Sequence, residues 1–497
     1  MKRTTLFLCF LFLCLSLALA RGAREQRPVR MALSGNPDTL DPQKTAGTLT
    51  FQVLKSLYDT LLEPDPSGNL VPALAQSWEF REEGKQVIFS LRRGVVFHDG
   101  KPFTSKDVAA TLNRIRDKNT GSPQSGEYSL IQRIETPDPY TVVLHLSEPS
   151  APLLATLASG WSAILPAHLI EAGHNFASQP VGTGPFKFKS WIRDNQIVVE
   201  KNPSYWMLNH PKIPGVEFRI ITERSIQLQG LLTGQIDIID MYDNIDLPLL
   251  ERNPNVSVEK VLTSLVMVLA MNTSRPPLSD LRVRQAMNHA INKQEVLNIA
   301  YGGGIPLGTF MDASDPYYVD FTQLYPYNPD RAKALLKDIQ FNEPLEMVLP
   351  QNFEPHVRAG QIYQEMLTKV GVPIKIKLVD WSTWISEVYR KANYDLTVIG
   401  HTGKLDPDGR LHNYGTDKTY VRWVNPEASN LIQKARTVTE ITERKALYRR
   451  VLELMAREVP FVFVGTSYRY IGYRNSLTGF RIQPKLDAYD FRYLEFR

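Results

Sequence analysis

An α/β (or α+β) architecture is predicted by three observations. Segments with the two-residue alternation of strands and segments with the helical 3.6-residue recurrence are both present, often in turn. Gly and Pro are scattered between them as punctuation. In the second half, strand, helix and strand follow one another at the spacing that parallel pairing with crossover helices requires. The composition agrees with this class. The chain has 497 residues, 43% apolar and 22% charged, which excludes wholesale disorder, collagen and coiled coil. The length corresponds to roughly three domains of ~150 residues. A net charge of +5, spread without blocks, gives no support to nucleic-acid binding.

The N-terminal segment is set apart from the fold. Lys2 and Arg3 precede an apolar run from Leu6 to Leu19 broken only by Ser16, and Ala18-Leu19-Ala20 is a small-x-small cleavage site. Residues 1–20 therefore read as a secretory signal peptide cut after Ala20, too short in its apolar core for a membrane span. Both cysteines, Cys9 and Cys14, lie inside it, so the exported chain holds together by core burial without disulfides. Leu13 stands before Cys14 where a lipid-attachment signal carries a small residue.

Val87, Phe89 and Leu91 alternate with more polar neighbours as a half-buried strand. Turns follow at Gly94 and Asp99-Gly100, and Thr104 with Asp107 makes a capping box before the helical face of Val108, Leu112 and Ile115. Thr141 to Leu146 is a further strand, and this region forms a small α/β lobe. Strands are predicted at Phe186 to Phe188, Gln196 to Val199 and Val216 to Ile221, with a short helix from Gln227 closed by Gly234. Asp280 caps a helix carrying Val283, Met287 and Ile291, and Asn292 with Glu295 starts another. Asn328-Pro329 opens a helix with Leu335, Leu336 and Ile339. A strand (Leu345 to Leu349), a helix (Ile362, Met366, Val370, stopped at Gly371) and a strand (Ile374, Ile376, Leu378) come next. Ile385 to Tyr389 reads as helix, Asp395 to Ile399 as strand, Leu447 to Leu454 as helix and Phe461 to Val464 as strand.

Catalytic signatures are absent: no G-x-S-x-G, no phosphate-binding G-x-x-x-x-G-K-[ST] and no H-E-x-x-H. The histidines show no metal-ligand spacing, His401 and His412 included, and no metal or cofactor is expected. Gly302-Gly303-Gly304 follows a helix, which argues against a phosphate cradle. Gly400 to Asp408, containing Asp406-Pro407-Asp408, follows a strand. Ligands of parallel sheets sit beyond strand carboxyl ends, so this is a candidate binding loop, although a polar turn with a helix cap accounts for the same residues. Trp381 and Trp384 read as a loop-like segment after a strand, available for stacking or for packing.

From about Val29 onward the sequence resembles the large extracytoplasmic solute-binding proteins of ABC importers, the dipeptide/oligopeptide/nickel class. The resemblance rests on four blocks in order. The first runs from Leu91 through His98-Asp99-Gly100-Lys101-Pro102-Phe103-Thr104 to Asp107-Val108. The second joins Gly182-Thr183-Gly184-Pro185-Phe186 to Lys201-Asn202-Pro203 and Tyr205-Trp206. The third joins Met271-Asn272-Thr273 to Arg284-Gln285-Ala286, and the fourth is Tyr327-Asn328-Pro329.

The resemblance implies a two-lobed clam (type II, cluster C) with an extra small α/β domain inserted in lobe I. Lobe I would comprise residues 28–60, 182–262 and 478–497, the small domain 61–181 and lobe III 263–477. It implies a periplasmic monomer that encloses a small peptide or peptide-like solute by hinge closure and hands it to a membrane permease and ATPase, with no enzymatic step. Members of this class fix a peptide's amine with a carboxylate and its carboxylate with a basic residue. This chain departs from that pattern. The acidic residue expected three positions before Asp406-Pro407-Asp408 is Gly403, followed by Lys404. The usual amine anchor is then missing or supplied elsewhere, with Asp406 or Asp408 as substitutes if the loop shifts. Arg358 approximately matches the carboxylate-binding arginine, and Ala46-Gly47-Thr48 matches a ligand-facing turn. Lys404 and His401, with Arg358 nearby, suit an anionic or neutral ligand better than a zwitterion. Nickel chelates and oligosaccharides remain alternatives within the class. A secreted hydrolase and a holdase for unfolded peptides are the alternatives outside it.

Overall fold

The computed structural model describes residues 27–45, 47–241, 244–483 and 488–497. The signal segment expected at residues 1–20, and Ala46, lie outside the described residues. Within the described residues no helix is long and apolar enough to cross a membrane.

One eleven-stranded sheet runs through the molecule. In its first half Val29–Leu33 pairs parallel with Gly215–Ile220 and with Ile238–Met241. The hairpin Phe186–Ile192/Gln196–Lys201 closes that edge. In its second half Leu345–Pro350 pairs parallel with Ile374–Val379 and with Leu396–His401, as the strand–helix–strand spacing predicts. The halves are joined by two long antiparallel strands, Val256–Met271 and Phe461–Arg474. The sequence reading did not include the first of these and ended the second at Val464. Polar residues at Lys260, Thr263 and Ser264, and a run of Tyr and Arg after Gly465, mask the strand pattern where the chain leaves one core for the other.

The register of this pair breaks between Leu262 and Val266 and again between Met267 and Val268. Residues before the first break pair with Tyr468–Arg474 and belong to the first half; those after it pair with Phe461–Thr466 and belong to the second. Register breaks interrupt the ladder and concentrate bending. Two side chains stitch this one: Thr263 Oγ1 donates to the Ser467 carbonyl (3.1 Å), and Thr466 Oγ1 donates to the Thr263 carbonyl (2.6 Å).

Each half is buried on both sheet faces. Met267, Leu269 and Met271 enter one apolar cluster with Met287, Met347 and Tyr363, while Val266, Val268 and Ala270 enter another with Phe310, Tyr448 and Phe461. Period-two alternation carries successive residues of one strand to opposite sides. In the first half Met31 and Leu33 pack with Phe218, Phe491 and Phe496 on one face, and Ala32 packs with Leu231 and Ile239 on the other. A four-stranded antiparallel sheet (Ala75–Arg81, Gln86–Leu91, Thr141–Leu146, Ile131–Asp138) has its own core around Phe89, Phe97, Phe103 and Leu112. Its helix, Ser105–Arg116, starts as the capping box predicts, with the Thr104 amide donating to Asp107 (2.7 Å).

One local expectation is corrected. Trp381 and Trp384 are helical, not loop-like: Asp380 accepts from the Thr383 amide (3.0 Å) and caps a turn at Trp381–Thr383 that continues as a wide helix over Trp384–Arg390. The helix carrying Ile362 and Met366 begins at Glu354 with Pro355 in its first turn, so Arg358 lies one turn inside it.

Candidate ligand cleft

A cavity of about 900 Å³ lies against the two connecting strands and is walled by both halves and by the small sheet domain. The strand pair separates two cavities. Val261, Leu262, Thr263, Ser264 and Leu265, at the register break, border this one with Ser467 and Arg469, whereas Val258, Lys260, Tyr468 and Tyr470 line a second cavity of about 520 Å³ behind it.

The candidate loop after Leu396–His401 forms part of the cavity wall, and Gly403, Lys404, Asp406 and Asp408 all border the space. Gly403 has a steric reason. A Cβ there would stand 2.2 Å from Ser264 Oγ, so the pivot strand occupies the room that a side chain would need. Leu405 is half-buried against the core of the small domain. Lys404, between these two anchored residues, is exposed, and its stem lies over Gly409, where an added Cβ would come within 3.0 Å of Lys404 Cγ.

The two aspartates are committed to the framework. Asp406 takes a two-pronged contact from Arg444, at 2.5 Å (Nη1 to Oδ2) and 2.7 Å (Nη2 to Oδ1), with both side chains almost fully enclosed. Arg444 also donates to the Ala435 carbonyl (2.8 Å) and to Tyr317 Oη (2.8 Å), and Asp406 holds its guanidinium charged well above the usual arginine value despite the burial. Asp406 Oδ1 additionally accepts the Asp408 amide (2.9 Å). Asp408 faces Arg436 Nε at 3.2 Å; burial pushes its carboxyl up, and Arg436 opposes that shift.

Arg410, which sequence reasoning missed, ties this loop to the pivot. It donates to the carbonyls of Ser264 (2.6 Å), Phe310 (2.6 Å) and Thr402 (3.0 Å), and burial pushes its pKa down. It also reaches the His401 carbonyl (3.3 Å), and a guanidinium supplies the fork of donors that four converging carbonyls require. Its only sequence signal is an arginine two residues after Asp406-Pro407-Asp408, in the short helix Asp408–Leu411.

The remaining expected residues are dispersed. His401 does not join Lys404. It packs against Phe310 (centroids 4.8 Å apart), hydrogen-bonds Tyr420 Oη (2.8 Å), and burial lowers its imidazole to about 3, so it is neutral. The reason is strand parity: His401 shares the sheet face of Ile399, which points into the aromatic core. Arg358 is half-buried and ion-paired with Glu354 one turn back, and it is not among the residues that border the cavity. Trp381 stacks on Trp384 (5.0 Å, 4° between planes) and meets the edge of Phe353 (5.1 Å), which does border the cavity. Gly47 is the N-cap of the helix that starts at Thr48; farther along that helix Phe51, Leu54 and Lys55 reach the cavity. Among the described residues no group of His, Cys, Asp and Glu is arranged to hold a metal ion.

Comparison with known proteins accords with this architecture. Residues 69–420 match the family described as bacterial extracellular solute-binding proteins, family 5 Middle. The chain is 29% identical over 488 residues to di/tripeptide-binding protein 1 of Pseudomonas aeruginosa (strain UCBPP-PA14), covering 90% of this chain and 91% of that one. Among solved structures it is similar to the binding protein AgaA from A.tumefacien R10 in complex with agropinic acid (28% identity, TM-score 0.74, 95% and 99% coverage). The unliganded open form of the periplasmic murein tripeptide-binding protein MppA superposes with a TM-score of 0.84 at 21% identity, over 95% of this chain and 98% of that one. On the match over most of its length, this chain belongs to the bacterial extracellular solute-binding proteins, family 5.

Proposed function

We propose that this chain captures a small peptide or peptide-like solute in the cleft, shuts its two lobes around it, and delivers it to the permease and ATPase of an ABC importer. The observation that carries this reading is the cavity of about 900 Å³ bounded by two separately cored halves whose common sheet continues through two long strands with a broken register. A solute touching both walls favours the closed arrangement by its differential contacts. The lobes are taken as residues 28–60, 182–262 and 478–497 against 263–477, with 61–181 as the inserted domain. The protein acts as a monomer in the periplasm after removal of residues 1–20, as a carrier and not as an enzyme.

One similarity supports the peptide class, the di/tripeptide-binding relative, and AgaA, solved in complex with agropinic acid, supports a small solute in the same fold. The better superposition on an unliganded open form than on a ligand complex supports a cleft described here in its open arrangement. Calorimetry with a dipeptide and tripeptide panel tests the reading, alongside small-angle scattering for closure. Micromolar or tighter binding with a fall in radius of gyration is expected. Binding without compaction, or no peptide bound by a protein that co-purifies with no solute, refutes it.

A further inference from the structure

The charged side chains that border the cleft divide sharply. Lys55 is paired with Glu63 (2.8 Å), Arg469 with Asp240 (2.6 Å), Asp406 with Arg444 and Asp408 with Arg436. Two remain with no ion-pair or hydrogen-bond partner among the described residues: Lys404, on the loop of the second half, and Glu127, on the small domain. Both are exposed. Glu127 stands on the short turn Ser125–Tyr128, whose last residue is fully buried and hydrogen-bonded to Ser162 Oγ (2.5 Å). Each charge is therefore carried by an anchored backbone, Lys404 by Gly403 and Leu405, Glu127 by Tyr128, and the two face the cavity from different walls.

Resting on the solute-capture reading above, we propose that the cleft binds its solute with a fixed polarity, an anionic group at Lys404 and a cationic group at Glu127. The wall that includes Asp406 and Asp408 offers an ammonium no uncommitted carboxylate: the first aspartate is saturated by Arg444, and the second faces Arg436, which would repel the incoming cation. The same wall offers a carboxylate one free ammonium. The opposite charge comes from the inserted domain. A dipolar solute with its poles in this sense meets two complementary groups; one with its poles reversed meets two like charges. The specificity-determining pair is thus Lys404 and Glu127. A site for a purely anionic solute, suggested by Lys404 taken alone, is replaced by a site for a dipole.

The test uses Ala-Leu, its N-acetyl derivative and its C-terminal amide, titrated calorimetrically into the full mature chain and into Lys404→Gln and Glu127→Gln. Neither residue has an ion-pair or hydrogen-bond partner among the described residues, so both variants should melt with the wild type. Lys404→Gln should weaken Ala-Leu and the N-acetyl form about 10- to 100-fold and leave the amide unchanged. Glu127→Gln should weaken Ala-Leu and the amide by a similar factor and leave the N-acetyl form unchanged. Equal losses for all three probes would mean that the two residues pair with each other on closure, and would overturn the proposal, as would the opposite pattern. If the wild type binds none of the probes, mass spectrometry of the co-purifying solute decides. A solute lacking either an anionic or a cationic group overturns the polarity while solute capture stands, and the absence of any solute overturns both.

Discussion

Replacing Asp406 by Ala separates a framework role from a ligand-binding one. The side chain is 11% exposed and its partner Arg444 is 4% exposed. Deleting the carboxylate leaves Arg444 held by one carbonyl and two tyrosine hydroxyls, those of Tyr317 and Tyr448, with its charge uncompensated in a nearly dry site. Breaking a buried pair in this way costs about 3–5 kcal/mol, most of it the penalty of the stranded ion. For a domain of 150–250 residues each kcal/mol moves the melting temperature by about 2–4 °C, so a fall of roughly 6–20 °C is expected. Calorimetric melting of the solute-free protein measures it. Adding Arg444→Met removes the stranded cation and should restore part of the loss, on the order of 1–4 kcal/mol. If Asp406→Ala melted within 2 °C of the wild type yet lost solute binding, the aspartate would belong to the site and the assignment made here would be wrong.

Gly403→Ala places a Cβ 2.2 Å from Ser264 Oγ and should destabilise by about 1–3 kcal/mol, with Ser264→Gly as its rescue, both read by thermal melting. Tyr470 Oη donates to the Gly302 carbonyl (2.9 Å) behind the strand pair, so Tyr470→Phe removes a bond of about 1 kcal/mol from the open arrangement. Scattering should show a population shift of about fivefold toward closure and calorimetry a matching gain in affinity; unchanged affinity would mean that this contact survives closure. Burial holds His98 and His356 down at about 4 and His401 at about 3. Each is neutral in the folded protein where the unfolded chain binds a proton, so stability is lost as pH falls below about 6.5, by at most ~1.4 kcal/mol per pH unit per histidine. Urea midpoints at pH 7, 6 and 5 should decline in that order, and His401→Phe should flatten the decline.

Local chemistry was legible from the residues themselves. Thr104 with Asp107, Asn292 with Glu295 and Asn328 with Pro329 mark helix starts through contacts three residues apart or fewer, and the structure places each helix there. The parallel pairing of Leu345–Pro350 followed from the crossover spacing. What stayed hidden depends on partners that sequence distance conceals. Asp406 reads as a free carboxylate because Arg444 arrives from a helix 38 residues later. Gly403 reads as a missing anchor because the occupant of its space, Ser264, sits on a strand the pattern did not reveal. Glu127 belongs to a different domain from the loop it complements, and nothing in its neighbourhood distinguishes it from a solvated charge.

The ends of the described chain meet in one core. Val29, Met31 and Leu33 pack in the same cluster as Phe491, Leu494 and Phe496, and Arg492 bonds Glu63 at 3.0 Å across 429 residues. Whatever the direction of synthesis or translocation, the half that starts first is sealed last. Its groove stays unfilled until Phe491, Leu494 and Phe496 are available to it, a pairing of distant segments that no local helix or hairpin can replace.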